Sequence, residues 1–176
     1  MSNYRRNRVE GGTYFFTVNL LERKKTLLVN HIEELRHAII KTRKQKPFHI
    51  DGWVILPDHM HCIWTLPKAD DDYSGRWRAI KTTFSKSISK TEYQSKTRID
   101  RNERGIWQRR FWEHTIRDEV DYQNHMDYLH FNPVKHGFVK TVQEWEYSTF
   151  HHLVKKGVYP EKWGGTDIEI RTGERS

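Results

Sequence analysis

Apolar and polar positions along the chain change period several times, and each change marks an element. Residues 11–20, GGTYFFTVNL, open with a glycine pair and continue in aromatic and β-branched residues, which predicts a strand. Asn30 stands three residues before Glu33 like a helix N-cap with its capping-box partner, and Ile32, Leu35 and Ile39 give a 3.6-residue stripe. A helix over 31–45 follows, closed by basic residues before Pro47. FHIDGWVILP (48–57) and HMHCIWTL (59–66) are short apolar runs joined tightly at Pro57-Asp58, as in adjacent antiparallel strands.

Trp77, Ile80, Phe84 and Ile88 form the stripe of a second helix over 74–90, with Arg76, Arg78, Lys81 and Lys86 largely off it. Residues 91–105 are polar and aperiodic, a long surface loop. A fourth strand is expected within 106–118, then a helix from 119, capped by Asp118 and ended near Pro133. The remainder is aromatic-rich and weakly patterned, with 166–176 a loose or strap-like tail after a single unit over 1–165. The order β-α-β-β-α-β plus a helix predicts an α+β fold of the split βαβ, ferredoxin-like kind. That is an antiparallel sheet with helices on one face, extended by a C-terminal helix and tail.

Composition narrows the setting. Lys+Arg number 31 against 23 Asp+Glu, a formal charge of +8, which favours a polyanionic partner. The single cysteine, Cys62, excludes an internal disulfide and a thiolate zinc cluster. No apolar run approaches a bilayer span and the N-terminus lacks a signal-like apolar stretch, so a cytoplasmic, non-membrane protein is expected.

Three constellations carry candidate chemistry. In His59-Met60-His61, strand alternation places both imidazoles on one face, about 6–7 Å apart at the Cα atoms. That suits either two ordinary hydrogen-bonded histidines or a ligand pair for one ion. In the 117–133 helix, Asp121, His125, Tyr128 and Asn132 fall along one line at spacings of four, three and four. Tyr128 is then either a tyrosine covering the core edge or a nucleophile, and Asn132 offers a carbonyl oxygen to a hard cation. Two imidazoles and an amide leave positions open on Mg²⁺ or Mn²⁺ for water and a phosphate, so the two constellations together suit attack on a phosphodiester. Finally, Arg5 and Arg6, Arg78 and Lys81, Arg109 and Arg110, and Lys135 are candidate nucleic-acid contacts. Most are interleaved with Trp, Phe or Tyr, whose rings serve either as core or as base-stacking platforms.

GGTYFFTVNL, WVILPDHMHCIWTLP, WQRRFWEHTIRD and MDYLHFNPVKHG, in this order, resemble the blocks of the REP-associated tyrosine transposases, over residues 4–165. These are relatives of insertion-sequence single-tyrosine transposases within the HUH nucleases. The resemblance implies a ferredoxin-like fold acting on single-stranded DNA hairpins of repetitive extragenic palindromes. It makes His59 and His61 the metal-ligand pair and Tyr128 the nucleophile that forms a 5′-phosphotyrosine. Asn132 falls where insertion-sequence relatives carry a glutamine as third ligand, one methylene longer, with His125 the competing candidate. Insertion-sequence relatives are dimers with shared sites, whereas the single-copy REP-associated kind looks able to act alone, so a monomer is expected over a homodimer. Two rivals stand beside this reading: a non-catalytic binder of hairpin DNA or RNA, and a metal-dependent phosphodiesterase that uses water instead of tyrosine.

Overall fold

The structure, a computed structural model, describes residues 5–165. The expected tail at 166–176 lies outside the described residues. Four strands, β1 (Thr13–Asn19), β2 (His49–Ile55), β3 (His59–Thr65) and β4 (Trp112–Thr115), form one sheet in the order β2-β3-β1-β4. Every neighbouring pair is antiparallel. It follows that β1 and β2 run parallel with β3 between them, and β3 and β4 run parallel with β1 between them. This is the split βαβ order that the element sequence predicted.

The central strands are apolar on both faces because both faces are covered. Tyr14, Phe16, Val18, Met60, Cys62 and Trp64 point to one side, against helices α2 (Ile32–Gln45) and α3 (Tyr73–Ser87). Phe15, Val54 and Ile63 point to the other, against α5 (Glu119–Lys135), later joined by Phe150 and Tyr159. Helices α2 and α3 thus share one face, as expected, and the C-terminal helix α5 covers the other. The sequence of β3 states this directly: a half-solvated strand would alternate with exposed polar positions, whereas His59–Trp64 is buried throughout. Gly52 lets α5 approach β2, since a Cβ there would stand 2.6 Å from Met126 Sδ.

Local chemistry moved several boundaries. Asn30 does not cap α2: its amide donates to Thr26 Oγ1 (2.9 Å) and closes a separate short helix, α1 (Leu27–Asn30). The aperiodic 91–105 stretch contains a short helix, α4 (Lys96–Asp100). The strand expected within 106–118 is hydrogen-bonded as a strand only over Trp112–Thr115. Pro133 does not end α5. It forfeits one N–H in the last turn, and the helix runs on to Lys135. The stop is Gly137, in the left-handed region (φ +73°) that an L side chain resists. Its N–H bonds to the Val134 carbonyl (2.9 Å) while that of Phe138 reaches Pro133 (3.0 Å), a Schellman closure.

Beyond α5, a 3₁₀ turn (Val142–Glu144) and α6 (Phe150–Lys155) return across the outer edge of β2. Trp145 Nε1 donates to the Ile55 carbonyl (3.0 Å) and Ile55 N to the Tyr147 carbonyl (2.9 Å), so the edge strand is covered. No helix among the described residues is long and apolar enough to cross a membrane.

Candidate functional site

The β2–β3 hairpin turns on Pro57-Asp58, closed by Leu56 N to the His59 carbonyl (2.8 Å). His59 therefore emerges directly from a tight turn, and the alternation of β3 places His61 beside it while Met60 goes into the core on the far face. Both imidazoles are buried, with ring centroids 5.0 Å apart.

Each has its Nδ1 held: His59 donates to Asp58 Oδ1 (2.7 Å), and His61 Nδ1 bonds to the Thr17 hydroxyl (2.8 Å) from the register partner on β1. A held Nδ1 fixes the ring and turns Nε2 toward the ligand side, the usual support of a metal-binding histidine. Asp58 is itself pulled down to about 2: burial opposes ionisation, but hydrogen bonds from His59 and Arg23 outweigh it. His61 is pushed well below the usual histidine range by burial and then by the nearby His59, His136 and Lys135. It is neutral at physiological pH, the form in which an imidazole ligates metal.

α5 lies across this face. Its line of polar residues is buried, with Asp121, His125, Tyr128 and Asn132 all turned toward the sheet. The Tyr128 ring meets His61 edge-on at 5.4 Å between centroids. Lys135, two turns on and exposed, donates to the Tyr128 hydroxyl (3.1 Å), with its ammonium 4.7 Å from the ring centroid. Asn132 is fully buried, with its carboxamide against His61.

The sequence missed His136, whose ring lies 5.0 Å from His59. Its pKa is lowered by burial and then by the His59 and Lys135 charges. The signal was present: extending the 121–125–128–132 line by three or four residues reaches Lys135 and His136.

His125 stands elsewhere. It belongs with His114 and Asp121, and the Phe15 ring packs against both His125 (4.9 Å) and His61 (5.5 Å). The ligand atoms of His114, Asp121 and His125 all lie within 4.8 Å of one another, a set able to hold a divalent ion. That carboxylate already accepts from His114 Nε2 (2.8 Å), Arg117 N (2.9 Å) and Arg117 Nε (3.3 Å), while His125 Nδ1 bonds the Asp121 main-chain carbonyl (2.8 Å). The protein satisfies it, and the cluster ties the start of α5 to β4.

The candidate DNA contacts divide. Arg5, Arg78 and Arg110 are exposed. Arg6 lies over Phe111 (4.0 Å) and near Glu113 (3.7 Å), Lys81 donates to the Gln108 carbonyl (3.0 Å), and Arg109 pairs with Glu103 (2.9 Å). Trp77 and Trp107 are core; Trp112 is half-buried and stacks on His114 (5.9 Å, 9°). Arg76 is buried, clasping Asp70 (2.8 Å) and the Pro47 carbonyl (2.7 Å).

The split βαβ sheet thus brings a histidine pair to face a helix bearing a tyrosine and an amide, and the "Transposase IS200 like" family matches residues 9–132. Over 99% of its length the chain is 50% identical to a REP-associated tyrosine transposase of Escherichia coli, of which 98% is covered. It is 49% identical, over 97% of its length, to a putative one of Haemophilus influenzae, of which 98% is covered. A solved structure of a REP-associated tyrosine transposase bound to a REP hairpin superposes with a TM-score of 0.82 at 49% identity, covering all of both chains. The chain belongs to the REP-associated tyrosine transposases.

Proposed function

We propose that this protein binds REP-type hairpin DNA and nicks and rejoins single strands with Tyr128 as nucleophile. A divalent ion, Mg²⁺ or Mn²⁺, would be held by His59, His61 and Asn132. The observation that carries the reading is the meeting of a tyrosine, two braced imidazoles and an ammonium on its hydroxyl. The donor set fits a hard cation. His61 is neutral, and the buried Asn132 carboxamide beside it offers an oxygen. Such an ion supplies Lewis-acid polarisation of a phosphoryl oxygen.

The chain's own residues do the rest. Tyr128 Oη forms a bond to phosphorus as the bond from phosphorus to the 3′ oxygen breaks, leaving a 5′-phosphotyrosine and a 3′-hydroxyl. The phenol's proton is lost to solvent and the departing 3′ oxygen takes one up. Phosphorus keeps the same number of oxygen bonds, so rejoining is the reverse attack and needs no nucleotide cofactor. Lys135 faces the charge on the phenolate oxygen in both directions. Arg5, Arg78 and Arg110 serve the DNA backbone. Hairpin binding is carried over from the 49%-identical relative seen with its hairpin. It acts as a monomer, in the cytoplasm where the DNA lies.

The test is Tyr128→Phe with a labelled hairpin bearing single-stranded flanks. Cleavage and the protein–DNA adduct on a denaturing gel are expected to vanish while hairpin affinity stays within about twofold, since a hydroxyl on the reacting atom contributes little to ground-state binding. Chelation with EDTA should stop wild-type cleavage likewise. Cleavage that persists in Tyr128→Phe, or wild-type cleavage without an adduct, refutes the tyrosine mechanism.

A further inference from the structure

Near the histidine pair lies a second convergence of ligand-type side chains, which the proposed cleavage does not use. Strand alternation puts Trp112 and His114 of β4 on the sheet face that α5 covers, and His114 is the register partner of Phe15. The Asp118 cap starts α5 so that Asp121 and His125, four residues apart, come down over His114. One ligand atom from each of the three lies within 4.8 Å of the others. His114 Nε2 stands 2.8 Å from Asp121 Oδ2, and His125 Nδ1 stands 3.1 Å from Asp121 Oδ1. Ligands held about 2.0–2.1 Å from a tetrahedral Zn²⁺ are about 3.3 Å apart, so both pairs through Asp121 already approach the required spacing.

These groups are held in place by their surroundings. The His114 ring lies nearly parallel to both Trp112 (5.9 Å, 9°) and His125 (4.4 Å, 14°). The Asp121 carboxyl sits below its ordinary value: burial opposes ionisation, but hydrogen bonds from His114 and Arg117 N outweigh it. Asp121 and His125 are buried, whereas the His114 side chain is 25% exposed, which gives an ion a way in and leaves its fourth position to water. Without an ion, imidazole protons satisfy the Asp121 carboxylate and main-chain carbonyl; an ion takes up the nitrogen lone pairs and displaces those protons. Little is lost in the exchange. The Asp121 carbonyl keeps the helical bond from the N–H four residues on, and the Arg117 side chain, 75% exposed, turns to water. Two imidazoles and one carboxylate with an open position form a donor set suited to Zn²⁺.

We propose that His114, Asp121 and His125 form a Zn²⁺ site, separate from the His59–His61 pair, that clamps the start of α5, the helix carrying Tyr128, to β4. The test uses the full chain stripped of metal, with Zn²⁺ alone as the probe, followed by equilibrium dialysis, thermal unfolding and amide hydrogen exchange. His59→Ala/His61→Ala removes any ion at the histidine pair, so the single equivalent of Zn²⁺ it is expected to retain reports this site. At about 100 times Kd, Zn²⁺ should raise the Tm of that variant by roughly 5–10 °C and slow exchange over residues 118–125. Adding His114→Gln, which keeps a donor toward Asp121, should weaken Zn²⁺ by roughly 100-fold or more and abolish both effects, since a lost ligand costs at least as much as a lost outer partner. Adding His125→Gln instead, on the other element, should do the same, so the result does not hang on the folding of one variant. Absence of stoichiometric Zn²⁺ on His59→Ala/His61→Ala overturns the site. So does binding that His114→Gln and His125→Gln both leave unchanged. Neither outcome touches the hairpin-DNA reading, whose test uses DNA.

Discussion

Lys135→Met keeps a stem of similar length over the Tyr128 ring and deletes the ammonium 3.1 Å from its hydroxyl. When Tyr128 attacks as a phenolate, and again when it leaves during rejoining, that ammonium faces a full negative charge. At 3.1 Å the Coulomb energy is about 1.3 kcal/mol at the dielectric constant of water and about 2.7 kcal/mol at half that value. Lys135 is exposed, so the screened end of the scale applies. At about 1.4 kcal/mol per tenfold, the chemical step slows by roughly 10- to 100-fold. The assay is single-turnover cleavage at saturating DNA, scored by adduct formation, with affinity measured separately. Lys135→Arg, which keeps the charge, is expected to recover most of the rate. An unchanged saturating rate with a raised Kd would refute the argument and reduce Lys135 to a phosphate contact.

Three further outcomes follow from the geometry. If the site is assembled within one chain, mixing Tyr128→Phe with His61→Ala restores no cleavage; recovery in the mixture would show that Tyr128 serves a second copy's histidines. Arg76→Met strands Asp70 and several carbonyls around a buried site and is expected to cost about 3–5 kcal/mol, seen as a Tm lowered by roughly 10 °C in thermal unfolding. Glu92 is held at about 2, below its ordinary 4.5, first by hydrogen bonds from Arg104, so its support of the 91–104 segment is complete above 4.5 and lost as pH falls toward 2. Glu92→Gln should speed limited proteolysis of that segment about tenfold at neutral pH while Tm hardly moves, because the opening is local.

The sheet was legible because its signals are local. Strand alternation, the Pro57-Asp58 turn and the 3.6-residue stripes each need only a few neighbours, and they gave the strand order and the facing of His59 and His61. The misread features depend on competition between neighbours or on partners far along the chain. Asn30 looks like a cap until Thr26 takes its amide, and Pro133 looks like a stop until Gly137 proves the cheaper place to turn. Arg76 reads as a solvated helix face, yet Asp70 and the carbonyls of Lys46 and Pro47 take it inside. The motif HMH identifies two candidate ligands, but Thr17, the residue holding His61, is 44 positions away and recognisable only through strand register.

The same reasoning explains why α5 buries so many polar groups. An ordinary helix covering a sheet would be apolar along its inner face, but on the proposed function this one must hold a tyrosine to within a fraction of an ångström, where a displacement of about 1 Å can cost a hundredfold in rate. Its start is fixed by the Asp118 cap on Asp121 N (2.8 Å) and by the Asp121 carboxylate on His114 of β4. Its middle is fixed by His130, whose Nε2 meets Thr149 Oγ1 (2.9 Å) while Trp53 N of β2 donates to that same hydroxyl (2.9 Å). Burial lowers His130 to about 3, so this tie keeps one protonation state throughout the physiological range. Its end is fixed by the Schellman closure, which sets His136 against His59 of β3. Hydrogen bonds to β4 and, through Thr149, to β2, together with the His136 ring contact on β3, thus hold one helix, and Tyr128 sits between the first and second of these ties.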